Sequence, residues 1–71
     1  MKIVNNFYTL ARINNQPIYF LDSERHRTED IHHALRCNNK KCAELIREEL
    51  EIKIGCKSDL VILHVAETYE I

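Results

Sequence analysis

Asn38-Asn39-Lys40-Lys41-Cys42-Ala43-Glu44-Leu45-Ile46-Arg47-Glu48-Glu49-Leu50-Glu51-Ile52-Lys53-Ile54-Gly55 is the stretch from which the fold can be read. At the helical period Cys42, Ala43, Ile46, Leu50 and Ile54 fall on one stripe, with Lys40, Glu44, Arg47, Glu48 and Glu51 opposite. This spacing predicts an amphipathic helix over 39–54 whose apolar side packs on a sheet. Asn38 or Asn39 supplies an N-cap oxygen for an otherwise unpaired backbone N–H. Gly55 follows the last apolar position, where a left-handed capping residue belongs. The charges run against the helix dipole: Lys40 and Lys41 open the segment, and Glu48, Glu49 and Glu51 close it. The dipole favours the opposite order by roughly 0.3–1 kcal/mol per exposed charge. Pairing of Glu44 with Arg47 and of Glu49 with Lys53 along the helix would offset part of this. What remains is a basic corner of Arg36, Lys40 and Lys41, which points to a partner.

Upstream, Phe7 to Ile13 and Ile18 to Leu21 are rich in aromatic and β-branched residues and are separated by Asn14-Asn15-Gln16-Pro17, a hairpin signal. Asn tolerates the left-handed backbone of a tight turn, and Pro17 can stand at the first position of a strand. Polar Asp22 to Arg27 reads as a loop. Thr28 to Cys37 supports two readings. Thr28, Glu29 and Asp30 resemble a helix start, with Ile31, Ala34 and Leu35 on one helical face; Ile31, His33, Leu35 and Cys37 also alternate as in a strand. The leading acids favour a short helix.

Downstream, Asp59 to Tyr69 reads as one long strand. Val61, Leu63, Val65 and Tyr69 point one way and Leu60, Ile62, His64 and Ala66 the other, an all-round apolar pattern that predicts a central position. The expected fold is therefore α+β: an antiparallel sheet of about three strands in the order ββ(α)αβ. The 7–21 hairpin is joined by the 59–69 strand, the helix covers one face, and 28–36 lies at the edge. The second face is left without cover, so the pattern calls for a homodimer or another protein.

A chain of 71 residues has room for one domain, 1–71, and one small core, because about 60% of its unfolded surface is buried at this size. Ten basic against eleven acidic residues give a formal charge of -1, so no global field draws the protein to nucleic acid or an anionic membrane. No apolar run approaches the roughly 20 residues of a membrane helix, and Met1-Lys2-Ile3-Val4 runs into polar Asn5-Asn6, so the expectation is a soluble, cytoplasmic protein. Cys37, Cys42 and Cys56 are odd in number, which fits a reducing compartment.

Several constellations carry candidate chemistry. His33, Cys37 and Cys42 carry zinc-type donors, but the paired Cys-x2-Cys of most structural zinc sites is missing, and core or surface roles are favoured. Cys and His also offer a nucleophile and base on paper, yet no oxyanion element or phosphate-cradling loop accompanies them. The sequence thus predicts no enzyme, no metal and no cofactor. Arg25, Arg27, Arg36, Lys40 and Lys41 would suit phosphate, and two helices meeting at 37–39 would resemble a helix-turn-helix; Glu44, Glu48 and Glu51 on the exposed face oppose a nucleic-acid groove. Glu44, Glu48, Glu49 and Glu51, with Asp59 and Glu67, would mimic phosphates, but Arg47 and Lys53 interrupt them. Phe7, Tyr8, Tyr19, Phe20 and Tyr69 all fall on predicted strands, and Tyr8, Tyr19 and Tyr69 supply interface-type aromatics for the uncovered face, with core packing as the competing role.

Taken together, the hairpin Ala11-Arg-Ile-Asn-Asn-Gln-Pro-Ile-Tyr-Phe-Leu21, the joint Leu35-Arg-Cys-Asn-Asn-Lys-Lys-Cys-Ala-Glu-Leu-Ile46 and the strand Leu60-Val-Ile-Leu-His-Val65 resemble small accessory proteins encoded by bacteriophages of Gram-positive hosts. The resemblance implies a protein that binds and modulates a host or phage protein, including defence systems. The function expected is accordingly a non-enzymatic protein-binding module using Arg36, Lys40, Lys41, Tyr8, Tyr19 and Tyr69. A small nucleic-acid-binding regulator using the corner at 36–41 is the alternative.

Overall fold

The computed structural model describes residues 1–14 and 16–71. Strand β1 (Lys2–Arg12), β2 (Tyr19–Leu21) and β3 (Arg27–Thr28) precede helix α1 (Lys40–Ile54) and strand β4 (Val61–Glu70). The strands form one antiparallel sheet in the order β3-β2-β1-β4. The α+β class and the helix on one sheet face are as the sequence predicts, but the sheet has four strands. The extra one, β3, falls across the junction of the expected loop and short helix. The turn expected at 14–17 includes Asn15, which lies outside the described residues.

Helix α1 follows from local signals. Asn39 is the cap, its Oδ1 accepting from the Cys42 N–H at 2.8 Å, and Gly55 ends the helix with φ 84°, a backbone region open to glycine without a Cβ penalty. Ala43 is buried, and Cys42, Ile46 and Leu50 pack with Leu10, Leu21, Leu35, Cys37, Tyr8, Leu60 and Ile62 in the core. Each such leucine contributes roughly 1.5–3 kcal/mol when fully buried. Three positions depart from the predicted pattern. Ile54, the last residue of α1, is 65% exposed. Arg47 and Glu51, assigned to the solvated face, are half-buried: Arg47 Nη1 donates to the Leu60 carbonyl at 3.4 Å and Glu51 Oε2 accepts from the Ser58 N–H at 2.8 Å. They tether the chain as it returns to β4, and no ion pair joins Glu44 to Arg47 or Glu49 to Lys53 among the described residues.

Residues 28–37 do not form the short helix expected of them. Only Ile31–His33 makes a single 3-10 turn, capped by Asp30. The rest is extended because its backbone is claimed by the sheet: the Leu35 N–H donates to the Leu21 carbonyl at 2.7 Å, and Tyr8 and Cys37 exchange a pair of bonds at 2.8 Å. The alternation of Ile31, His33, Leu35 and Cys37 was the better signal. One helix, not two, adjoins 37–39, so no helix-turn-helix is present among the described residues. Ahead of β3, Asp22 Oδ1 accepts from the N–H groups of Glu24 and His26, a side-chain turn that folds β2 back on β3.

The largest correction concerns the sheet's centre. β1 begins at Lys2 rather than Phe7 and pairs with β2 on one side and β4 on the other, so β1 is central and β4 is an edge. β4 is apolar on both sides for a different reason from the one predicted. One side packs under α1, and the other lies on a sheet face that no helix covers among the described residues. Beyond the body, residues 2–6 and 66–70 continue as a two-stranded ribbon in unbroken register, from Ala11 opposite Val61 to Lys2 opposite Glu70. The ribbon stretches the molecule to 47 × 27 × 19 Å.

Candidate functional site

Strand alternation and the pairing register sort the side chains onto two faces. Tyr8, Leu10, Leu21 and Ile62 meet α1. Phe7, Thr9 and Ala11 point the other way, opposite Val65, Leu63 and Val61 of β4, with Phe20 opposite Ala11 on β2. Thr9 and Ala11 are buried between the larger side chains that flank them in the central strand and Phe7 lies beneath Arg36, while Phe20, Val61, Leu63 and Val65 remain half-buried. The result is an apolar strip across the open face.

Arg36 borders that strip. The backbone bridge between Tyr8 and Cys37 fixes the parity of the segment, placing Cys37 in the core and its neighbour Arg36 on the open side. There the guanidinium carbon stands 4.1 Å from the Phe7 ring centroid, a cation–π geometry, and Nη2 lies 2.7 Å from Glu67 Oε1. Tyr69 donates its hydroxyl proton to Glu67 Oε2 at 3.0 Å. The hydrogen bond from Arg36, above all, holds the Glu67 carboxyl below its ordinary range, and the bond to Glu67 raises the Tyr69 phenol. Arg36, Glu67 and Tyr69 thus form one polar cluster at the end of an apolar strip.

The other residues singled out from the sequence are placed elsewhere. Tyr8 is half-buried on the helix side, stacked on His64 with centroids 4.9 Å apart. Tyr19 is on the helix side too, lining a groove of about 590 Å³ with Arg12, Arg25, Leu50, Lys57 and Leu60. Arg12 is ion-paired there to Asp59 at 2.8 Å, and hydrogen bonding to Tyr19, then the charge of Asp59, raises its guanidinium. Lys40 and Lys41 are exposed at the first turn of α1. The expected grouping of three tyrosines on one face therefore fails: only Tyr69 is on the open side, since Tyr8 and Tyr19 have the opposite parity. The basic corner is divided as well, with Arg36 committed to Glu67. Phe20, one of the strand aromatics, builds most of the strip together with two residues not expected to bind a partner, Leu63 and Val65. The alternation of β4 was the signal that could have found the last two.

His33 is exposed, with Nδ1 3.2 Å from Asp30, while Cys37 is buried and Cys56 exposed. Among the described residues no three His, Cys, Asp or Glu side chains converge on one metal position. Burial first, then hydrogen bonding to Cys42, pushes the Cys37 thiol up to about 11, the opposite of what activates a nucleophile. No helix of the described residues is long and apolar enough to cross a membrane. No family model, curated protein or solved structure matches this chain.

Proposed function

We propose that this chain is a non-enzymatic protein-binding module that engages another protein through the open face of its sheet. The observation that carries this reading is the apolar strip of Phe20, Val61, Leu63 and Val65 ending in the Arg36–Glu67–Tyr69 cluster. An apolar centre beside a polar border is how protein interfaces are built, and Arg and Tyr are the residue types that dominate their energetics. The likeness of the sequence to phage accessory proteins supports a modulator of a host or phage protein as the biological role.

The test is recovery of a stoichiometric partner on beads carrying the wild-type chain, compared with Leu63→Arg and Lys41→Glu. Loss of the partner with Leu63→Arg and retention with Lys41→Glu is the expected result. The reverse pattern would move the site to the helix start. A nucleic-acid gel shift that weakens steeply with salt would replace the protein reading altogether.

A further inference from the structure

Strand β4 has a second property, independent of its open face. Met1 and Ile71 exchange backbone hydrogen bonds at 2.9 and 2.7 Å, and the register of β1 with β4 is unbroken. In an antiparallel ladder bonded and non-bonded pairs alternate. The odd-numbered residues of β4 therefore turn their N–H and C=O groups toward β1. Ile62, His64, Ala66, Thr68 and Glu70 turn theirs outward. The bridge of even-numbered Tyr8 to Cys37 on the far side of β1 fits the same parity. Among the described residues none pairs with the outer edge of β4.

Edge strands are ordinarily guarded by Lys, Pro, bulges or shortness. β4 is ten residues long, has no bulge in its pairing with β1, and contains no Lys, Arg, Pro or Gly. His64 turns its ring inward to Tyr8, with Nε2 3.1 Å from Asn6 Oδ1, and Glu67 is held by Arg36, so neither shields the edge. The molecule also carries excess surface. Its 5328 Å² compares with about 4600 Å² for a folded monomer of this mass, and its radius of gyration of 13.0 Å with about 11 Å. The difference of about 700 Å² is close to the roughly 800 Å² that each partner contributes to a standard interface.

We propose that the outer edge of β4 pairs antiparallel with β4 of a second copy of this chain, around a two-fold axis at Ala66. The strand is self-complementary in this register. Ile62 faces Glu70 of the second copy, His64 faces Thr68, and Ala66, a small side chain, faces itself, so every outward backbone group of the strand is bonded. On the open face Val61 meets Ile71 of the second copy and Leu63 meets Tyr69. Ile71 and Tyr69, 78% and 48% exposed in one chain, are thereby covered, and no like charges stand directly opposite. The two ribbons, marginal as isolated pairs of strands, become the middle of one continuous eight-stranded sheet. The proposal stands apart from the partner reading above, since a monomer would present the same open face.

Sedimentation and residue-resolved amide exchange on the unmodified chain test it. Twice the 8.4 kDa of one chain is expected at high concentration. The amides of Ile62, His64, Ala66, Thr68 and Glu70 should then exchange slower by about an order of magnitude or more than in the dilute monomer, while odd-numbered β4 amides are protected throughout. Ala66→Pro deletes a single, outward donor and should leave a folded monomer. Should that variant unfold, Ala66→Cys in a Cys56→Ser background decides instead, because a bonded pair places its Cα atoms about 5.5 Å apart, within disulfide reach; oxidation should give a covalent dimer. A chain that stays monomeric to millimolar concentration overturns the proposal. So does a dimer whose even-numbered β4 amides exchange fast, or one that captures a foreign strand in preference to its own copy.

Discussion

Arg36 Nη2 lies 2.7 Å from Glu67 Oε1, joining the segment ahead of α1 to the far half of β4 across the open face. The contact spans the Phe7 ring, over which the guanidinium lies. It is a polar tie between the ribbon and the body, and it covers an aromatic that would otherwise face water. Side-chain exposures of 46% and 16% at Arg36 and Glu67 mean that solvent screens the pair in part.

Acid stability should report this tie. The Glu67 carboxyl is held below its ordinary value of 4.5, chiefly by the hydrogen bond from Arg36. A carboxylate depressed on folding contributes stability that is fully present above its unfolded pKa and lost as pH falls through the folded value. Unfolding midpoints of the wild type should therefore decline below about pH 4.5, and Glu67→Gln should be less stable near neutrality with a flatter acid limb. Denaturant titrations across pH 2–7 make the comparison; parallel limbs in the two proteins would mean that the pair does not bias folding.

Thr9 is fully buried in the middle of the open face, and its Oγ1 has no hydrogen-bond partner among the described residues. A buried hydroxyl left unpaired costs about 1–3 kcal/mol. Thr9→Val keeps the shape and the β-branching and removes that cost, so it should raise stability by about 1–2 kcal/mol. A lower denaturation midpoint in the valine variant would show that the hydroxyl is bonded.

The helix, its cap and its terminator were legible because each rests on neighbours in sequence: Asn39 bonds Cys42, and Gly55 supplies the left-handed residue. The 7–21 hairpin was legible for the same reason. What failed depended on distant pairing. In residues 2–6 the short β-branched pair Ile3-Val4 runs into polar Asn5-Asn6, too little to mark a strand alone, and the segment becomes strand opposite 66–70. Residues 28–37 have helix-start chemistry, yet Leu21 and Tyr8 take their backbone. The pattern of β4 marked it as a strand but could not place it, since an apolar second face arises from a covered sheet or from an open one alike. At the site, Arg36 was grouped with Lys40 and Lys41 by proximity in sequence, whereas the Tyr8–Cys37 bridge sends it to the opposite side of the sheet.

Thiol reactivity should separate the three cysteines. Cys56 is exposed, Cys42 half-buried and Cys37 buried, with its thiol pushed up to about 11. The raised thiol leaves little thiolate at pH 8, and the thiolate is the reacting species. Timed alkylation read by mass spectrometry should label Cys56 first, Cys42 more slowly, and Cys37 only as the protein unfolds. Early modification of Cys37 would mean that the bridge to Tyr8 opens readily.

Lys40 and Lys41 stand exposed in the first turn of α1, which contains no acidic residue, and no ion pair engages them among the described residues. Both therefore oppose the positive end of the helix dipole without compensation. Replacing each by Glu reverses that sign at a position where one charge is worth about 0.3–1 kcal/mol. The double variant should gain about 1 kcal/mol, a rise in melting temperature of roughly 4–8 °C for a domain of this size. The gain should shrink in high salt, because exposed charges are screened over about 3 Å at 1 M ionic strength. Since the proposed partner surface is the opposite side of the sheet, the same variant should retain the partner that Leu63→Arg loses. A variant that is stabilised yet loses the partner would assign the lysines to binding and explain why an unfavourable helix start is kept.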